Sequence, residues 1–411
     1  MLNFARFFAV VICLSGCVMT VDSRLNSVRK DYMTQGEIDT ADIEQKDNLD
    51  LLLTADALFH SGDLTNADKI YEIFNKKNKN ITSGNLSREI KSFLFGATAN
   101  DYRPSMMDSL FVSYYQLWAA LAENRLNDAR VIINQSYARQ QEMSRQYQKQ
   151  IEENQNKTSN EFIQELENEN AVWSAYRDIM NPALMYLSGI YFLNAGEFSD
   201  ATLYLNRAAG MMPENTFIAR DAKLAKAKNK PTNTVWIFIE DGFAPKLVEK
   251  RAHVPIIGKN GTTIATLAIS EAKSIDLSEP NLTNAQTLAD VDAMFMTEYN
   301  QYRINEALRA YTSAVSRVAL QSAAYNSKSD SAGLTGLLST VYSELTNTAE
   351  TRTWAALPKQ ISVLRMDNNG LIELKSDDKL ITEISLPDKG NYLIYLRRAN
   401  NKTDIKTIKL K

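Results

Sequence analysis

Thiols and imidazoles are nearly missing from this chain. Its 411 residues include two cysteines, Cys13 and Cys17, and two histidines, His60 and His253, far apart in sequence. That scarcity gives zinc, iron–sulfur or Cys/His nucleophile chemistry no basis, and no metal or other cofactor is expected. Basic charge is not in excess: 46 Lys and Arg stand against 49 Asp and Glu, a net charge of −3. A basic field for nucleic acid is therefore lacking. Long apolar runs are lacking too. The stretch from Phe7 to Val18, broken only by Ser15 and Gly16, is about a dozen residues, whereas a spanning helix needs about 20. Signatures of catalysis are also missing, with no Gly-x-Ser-x-Gly, no Gly-x-x-x-x-Gly-Lys and no His-Glu-x-x-His. Ser-x-x-Lys pairs such as Ser27–Lys30 and Ser376–Lys379 lie in a polar tether and a polar turn, and the chain lacks the Lys-Thr-Gly that accompanies the motif in acyl-transfer enzymes. No catalytic residue is assigned, and the chain is not expected to be an enzyme.

The short apolar run follows one positive charge, Arg6, as in a secretory signal. Its end, Leu14-Ser15-Gly16-Cys17, resembles the lipobox of bacterial lipoproteins. The resemblance implies that residues 1–16 are a cleaved signal peptide and that Cys17 becomes the acylated, palmitate-bearing first residue. Several acyl chains, at about 0.8 kcal/mol per buried methylene, make a lasting anchor. Val18 stands where an aspartate would retain a proteobacterial lipoprotein in the inner membrane. The resemblance thus implies the outer membrane, at its periplasmic face. The competing reading is a plain signal peptide with a chance cysteine. Against it, the mature chain offers Cys17 no disulfide partner. Residues 17–47, polar and without a strong period, read as the lipidated N-terminus and a tether.

Residues 48–228 are helical by period. Leu51, Ala55, Leu58 and Phe59 form one stripe, Gly62-Asp63 a turn, and Ala67, Ile70, Tyr71 and Phe74 a second stripe. The unit resembles a tetratricopeptide (TPR) repeat. The fullest match is "NPALMYLSGIYFLNAGEFSDATLYLNRAAGMMPEN", with Gly189, Phe192, Gly196, Phe198, Ala201, Ala208 and the helix-ending Pro213 in place. A weaker copy carries Ala120 and Ala129, with Asn124 instead of glycine. Ala67, Ala129 and Ala201 recur at about twice the ~34-residue repeat period, so degenerate units intervene or helices are extended. The Gln-, Glu- and Lys-rich segment 139–170, with Met143, Tyr147 and Ile151 at every fourth place, points to two extended arms. They read either as a solvated hairpin or as a docking arm. Such arrays present a concave face suited to an extended peptide or a partner's helix.

After the linker "KAKNKPTNT" the period changes, and 231–411 reads as an α+β domain. "TVWIFIED" is a strand, and "APKLVEKRAHVPII" and "TTIATLAIS" form a hairpin around Gly258-Lys259-Asn260-Gly261. A helical period runs from Leu288 through Val291, Phe295, Tyr299 and Tyr302, then Leu308 to Val318, with a further helix at about 332–346. "ISVLRM", "GLIEL", "NYLIYLRR" and "KTIKLK" close the chain as strands. The expected architecture is α+β and multidomain: an all-α TPR-like array, then a mainly antiparallel sheet with packed helices.

Three segments, "EDGFAPKLVEKRAHVPI" (240–256), "INEALRAYTSAVSRVALQ" (304–321) and "TAETRTWAALPKQISVLRM" (348–366), resemble an uncharacterised family of bacterial tetratricopeptide lipoproteins. The last matches its acidic-Thr-Arg-x-Trp-x-x-Leu-Pro signature, with Glu350 where aspartate is commoner. The resemblance implies an anchored envelope protein, encoded near activators of peptidoglycan synthases. Physically, Trp354 suits a helix–sheet seam and Arg352 the bridging of carbonyls or a carboxylate. The alternative is a pocket of Arg309, Arg317, Arg352 and Trp354 for an anionic group such as a peptide carboxylate. The expected function is a protein-binding scaffold or adaptor, anchored in the membrane by lipid and partnered with envelope proteins. A glycan- or peptide-binding module, or an envelope hydrolase, is the alternative.

Overall fold

The computed structural model describes residues 21–33, 38, 40–78, 102, 104–155, 181–258, 261–300 and 349–410. Within them the fold is α+β. Helix α1 (Val21–Lys30) is followed by the helix pairs α2 (Asn48–Ser61) and α3 (Leu64–Lys77), α4 (Met106–Ala122) and α5 (Leu126–Gln155), and α6 (Pro182–Ala195) and α7 (Phe198–Met211). Helix α8 (Thr216–Lys226) closes the helical part.

The pairs form where the turn chemistry allows it. Asp47 caps α2 by accepting from Asp50 N–H, Asp63 caps α3, and Asn181 caps α6 just ahead of Pro182. Each such cap is worth about 1 kcal/mol. Gly62, Asn124 and Gly196 turn the chain between partners at φ of 92°, 55° and 81°, the left-handed region that Gly, and next Asn, adopt most readily. At Gly189 an added Cβ would lie 2.6 Å from the Leu205 side chain, so α6 and α7 approach closely only because that position has none.

The sheet order is β4-β5-β1-β8-β9, built from β1 (Thr234–Asp241), β4 (Gln286–Asp290), β5 (Gln360–Asp367), β8 (Asn391–Ala399) and β9 (Lys402–Leu410). Strands β1 and β8 are parallel, and the other pairings are antiparallel. Two ribbons stand apart from this sheet: β2 (Lys246–Gly258) with β3 (Gly261–Lys273), and β6 (Leu371–Ser376) with β7 (Lys379–Ser385).

Every residue of β1 is buried, because both faces of the sheet are covered. Alternate side chains take opposite faces. Trp236 and Phe238 with Leu393 and Tyr395 join the core shared with the helices, while Val235, Ile237 and Ile239 with Ile394 and Leu396 join Ile372, Leu374 and Ile384 of the β6–β7 ribbon. Each fully buried Leu, Ile or Phe contributes about 1.5–3 kcal/mol. Helix α4 is buried from Met106 to Leu121 and α6 from Pro182 to Asn194. Both are covered on every side, and of the polar side chains they bury, Asp108, Gln116, Ser188 and Asn194 are hydrogen-bonded within the protein. Trp118 meets Phe238 and Tyr395 edge-on at 5.3 and 5.4 Å, and Phe59 meets Tyr395 at 5.3 Å. Helices α4 and α6 therefore pack against the chain's own sheet.

Other expectations change as well. Leu288, read as the start of a helix, lies in β4, fully buried, and the helix α9, described over 291–300, begins only after it. Pairing with β5, through a register shift between Thr287 and Ala289, overrides the helical period there. Strand β7 was not anticipated. Asp377 and Asp378, at φ of 45° and 66°, make the tight turn that returns it to β6. The stretch read as part of a tether forms α1 and buries Leu25, Arg29 and Tyr32. Helix α5 runs unbroken to Gln155, which makes the first half of the segment 139–170 helical. The second arm, Tyr302 to Val318, and the helix at 332–346 lie outside the described residues.

Candidate functional site

Strands β1 and β8 each end in a pair of like charges, Glu240-Asp241 and Arg397-Arg398. Their parallel register sets Glu240 beside Arg397 and Asp241 beside Arg398. Alternation sends one pair to each face of the sheet. On the outer face, Arg398 forks onto Asp241 through two hydrogen bonds of 2.8 Å. On the helix face, Glu240 and Arg397 are fully buried and their charged groups stand 3.8 Å apart.

Glu240 and Arg397 make their hydrogen bonds with other groups. Glu240 Oε2 accepts from the Tyr115 and Tyr395 hydroxyls at 3.1 and 2.9 Å. Arg397 donates to the carbonyls of Gly242 (2.6 Å), Arg398 (3.1 Å), Ala356 (3.2 Å) and Glu240 (3.3 Å), and its Nε to the Tyr32 hydroxyl at 3.4 Å. Its guanidinium lies 5.0 Å from the Tyr32 ring and 5.4 Å from that of Phe243. Burial pushes the Glu240 carboxyl above the usual carboxylate range, against the pull of Arg397 and His60. Burial opposes charge on Arg397, but Tyr32 and Glu240 outweigh it and hold the cation.

His60 extends the cluster. Its Nδ1 is 2.9 Å from Asp404 on β9, and its Nε2 is 3.6 Å from Asp56 one turn back on α2. Burial favours the neutral ring, yet Asp56 and Asp404 prevail and raise its pKa above 6.5. Lys406 also pairs with Asp404. Around these groups, Glu240 Oε1, the Tyr71 and Tyr114 hydroxyls and the indole N–H groups of Trp118 and Trp354 are buried with no hydrogen-bond partner among the described residues.

Two further buried nodes tie helices to strands. Asp221 of α8 accepts from Tyr186 and Trp236 at 2.7 Å and from Arg365 at 2.8 Å. At the start of α4, the carboxylate of Glu298, on α9, accepts from the backbone N–H groups of Met106 and Met107 at 2.6 and 3.0 Å. Beside it, Asp108 completes a capping box with Ser105 and accepts from Tyr102 at 2.7 Å. Burial pushes Glu298 up to about 7 and Asp108 to about 6.

The anticipated pocket divides differently. Cys17, Arg309 and Arg317 lie outside the described residues. Arg352 forks onto Glu350 at 2.8 and 2.6 Å. Trp354 is buried, with ring centres 6.3 Å from Tyr71 and 5.8 Å from Tyr115. The "EDGFAP" and "TRTWAALP" segments do meet: Ala244 N–H donates to the Leu357 carbonyl at 2.9 Å, and Arg397 binds carbonyls in both. Sequence reasoning missed Glu240, Arg397, His60 and Asp221 as site residues. The available signal was an acidic pair and a basic pair ending two apolar strands, a pattern that fits parallel, in-register pairing.

In chemical terms the cluster holds an acid, a fixed cation, an imidazole and several phenols. All are enclosed between helices and sheet, so water reaches them only if those layers part. Their geometry joins four pieces of chain: α1, the inner helices, the sheet and the segment 354–357. Among the described residues no group of His, Cys, Asp and Glu is placed to hold a metal, and no helix is long and apolar enough to cross a membrane. A scan against protein-family models and searches of curated proteins and of solved structures found no match to this chain.

Proposed function

We propose that this protein is a lipid-anchored scaffold or adaptor of the bacterial cell envelope, held at the periplasmic face of the outer membrane through Cys17. It works by binding other envelope proteins, with the peptidoglycan-synthesis machinery as the partner class implied by the family resemblance. The helix pairs are TPR-like, with their inner helices turned to the sheet. One observation carries the reading: the groups with acid–base capacity are enclosed and paired across the helix–sheet seam, where they fasten layers together rather than face a substrate. Binding then falls to outward surfaces, namely the second helices of the pairs and the long α5. Val131 on α5 and Leu203 on α7 are large apolar side chains, 51% and 40% exposed.

Photocrosslinkers placed at Val131 and Leu203 in living cells test this. The expected outcome is a discrete protein adduct at one or both sites, lost when the neighbouring surface is made acidic. Saturable binding to purified peptidoglycan with no protein adduct would replace the scaffold with a glycan-binding module.

A further inference from the structure

Helix α1 joins the N-terminal segment to the body, and the way it docks bears on how an anchored protein sits. Leu25, Arg29 and Tyr32 are 3%, 7% and 5% exposed. The Tyr32 hydroxyl reaches the buried node at Arg397, and its ring is edge-on to His60 and Phe243 at 5.2 and 5.3 Å. The Asn400 side chain donates to the Arg29 carbonyl, Lys402 Nζ to that of Tyr32 at 3.3 Å, and Arg24 pairs with Asp50 of α2. The segment is thus fastened near both ends, by Arg24 in α1 and by Tyr32 just beyond it.

Only Val18, Met19 and Thr20 separate Cys17 from Val21, the first residue of α1. Fully extended, that link reaches about 14 Å, whereas a free tether over 17–47 would reach about 100 Å. Among residues 23–33 the exposed side chains, Ser23, Arg24, Asn26, Lys30 and Asp31, are polar, and no large apolar side chain is exposed.

Resting on the lipid-anchor reading proposed above, we infer that the face carrying α1 lies against phospholipid headgroups, so that the body is pinned to the membrane rather than swinging on a tether. The contact is polar, with the Lys30 ammonium available to headgroup phosphates and the acyl chains of Cys17 supplying the hold. Helix α1 sits at the β9 edge of the sheet, where Asn400 and Lys402 bind it, whereas α6, the partner of α7, packs at the opposite edge, on β4. The outer surface of α7 therefore points away from the bilayer, toward partners in the periplasm.

The mature chain has no cysteine besides Cys17, and acylation of that thiol leaves a single added cysteine free for labelling. The acylated full chain, carrying a fluorophore at Ser23→Cys or Leu203→Cys, is reconstituted in phosphatidylethanolamine/phosphatidylglycerol vesicles containing a nitroxide-headgroup lipid. The label at 23 is expected to be quenched several-fold more than the label at 203. An insert of about 30 Gly/Ser residues after Thr20, with an r.m.s. span of about 30 Å, should remove that difference without touching the fold. Equal quenching in the uninserted protein, or a difference that survives the insert, overturns the inference while leaving the anchor intact. A chain that does not float with the vesicles overturns the anchor itself, and the inference with it.

Discussion

Glu240 and Arg397 are register partners on parallel strands, yet neither relies on the other for its hydrogen bonds. Glu240 takes two tyrosine hydroxyls, and Arg397 takes four backbone carbonyls and a third tyrosine. Arg397 thereby holds the chain where β1 ends, where 354–357 passes and where α1 docks. Glu240 binds a helix tyrosine to the sheet.

Removing one member leaves the other buried without its counter-charge, at a cost of about 3–5 kcal/mol. Arg397→Met should be the more damaging single change, because it also frees four carbonyls. Glu240→Gln with Arg397→Met should cost less than the two single losses added. Urea denaturation followed by circular dichroism measures all three. Strict additivity would mean that the two charges do not sense each other across 3.8 Å.

Gly242 has a φ of 63°, and a Cβ there would meet Leu277 Cδ2 at 2.5 Å and Lys359 Cβ at 3.3 Å. Gly242→Ala therefore combines a left-handed backbone with overpacking, at about 2 kcal/mol or more. Its thermal midpoint should fall clearly below that of Gly210→Ala, where an added Cβ meets nothing. Equal midpoints would refute the account of this turn.

His60 makes stability pH-dependent, and the direction follows from the raised pKa. Because the folded state raises it above 6.5, its contribution is complete below pH about 6.5 and is lost as pH rises through the folded value. Asp404, depressed below 3.8, adds stability that is lost only in acid. His60→Gln should thus flatten the fall in unfolding midpoint between about pH 6 and pH 8. Glu298 and Asp108, raised to about 7 and 6, weaken the fold in the same direction in both proteins, so the difference between them isolates His60. Parallel pH profiles would rule His60 out as the source.

Trp354 and Arg352 separate the seam from the expected anion pocket. Trp354→Ala opens a cavity under Tyr71 and Tyr115 and should cost about 3–5 kcal/mol. Arg352→Ala removes a partly exposed pair with a neighbour two residues away and should cost under about 1 kcal/mol. Calorimetric unfolding of both variants checks the contrast. A large Arg352 effect with a small Trp354 effect would favour the pocket.

The sequence by itself determined the local elements. Helix period, the Asp and Asn caps and the Gly62 and Gly196 turns are short-range chemistry, and they mark the helix pairs correctly. The alternating or apolar runs mark β1, β5, β8 and β9, and Gly258 to Gly261 marks the β2–β3 hairpin. Only the tertiary structure decided which faces are covered. That Leu288 is a strand residue, that α4 and α6 pack on the sheet rather than lining an open groove, and that Tyr32 is anchored in the core all depend on partners distant in sequence. The same holds for the site. Glu240, His60 and Arg397 are ordinary residues in a linear reading. They become one cluster because parallel pairing of β1 with β8, and burial beneath α2 and α4, bring them together and remove the water that would have screened them.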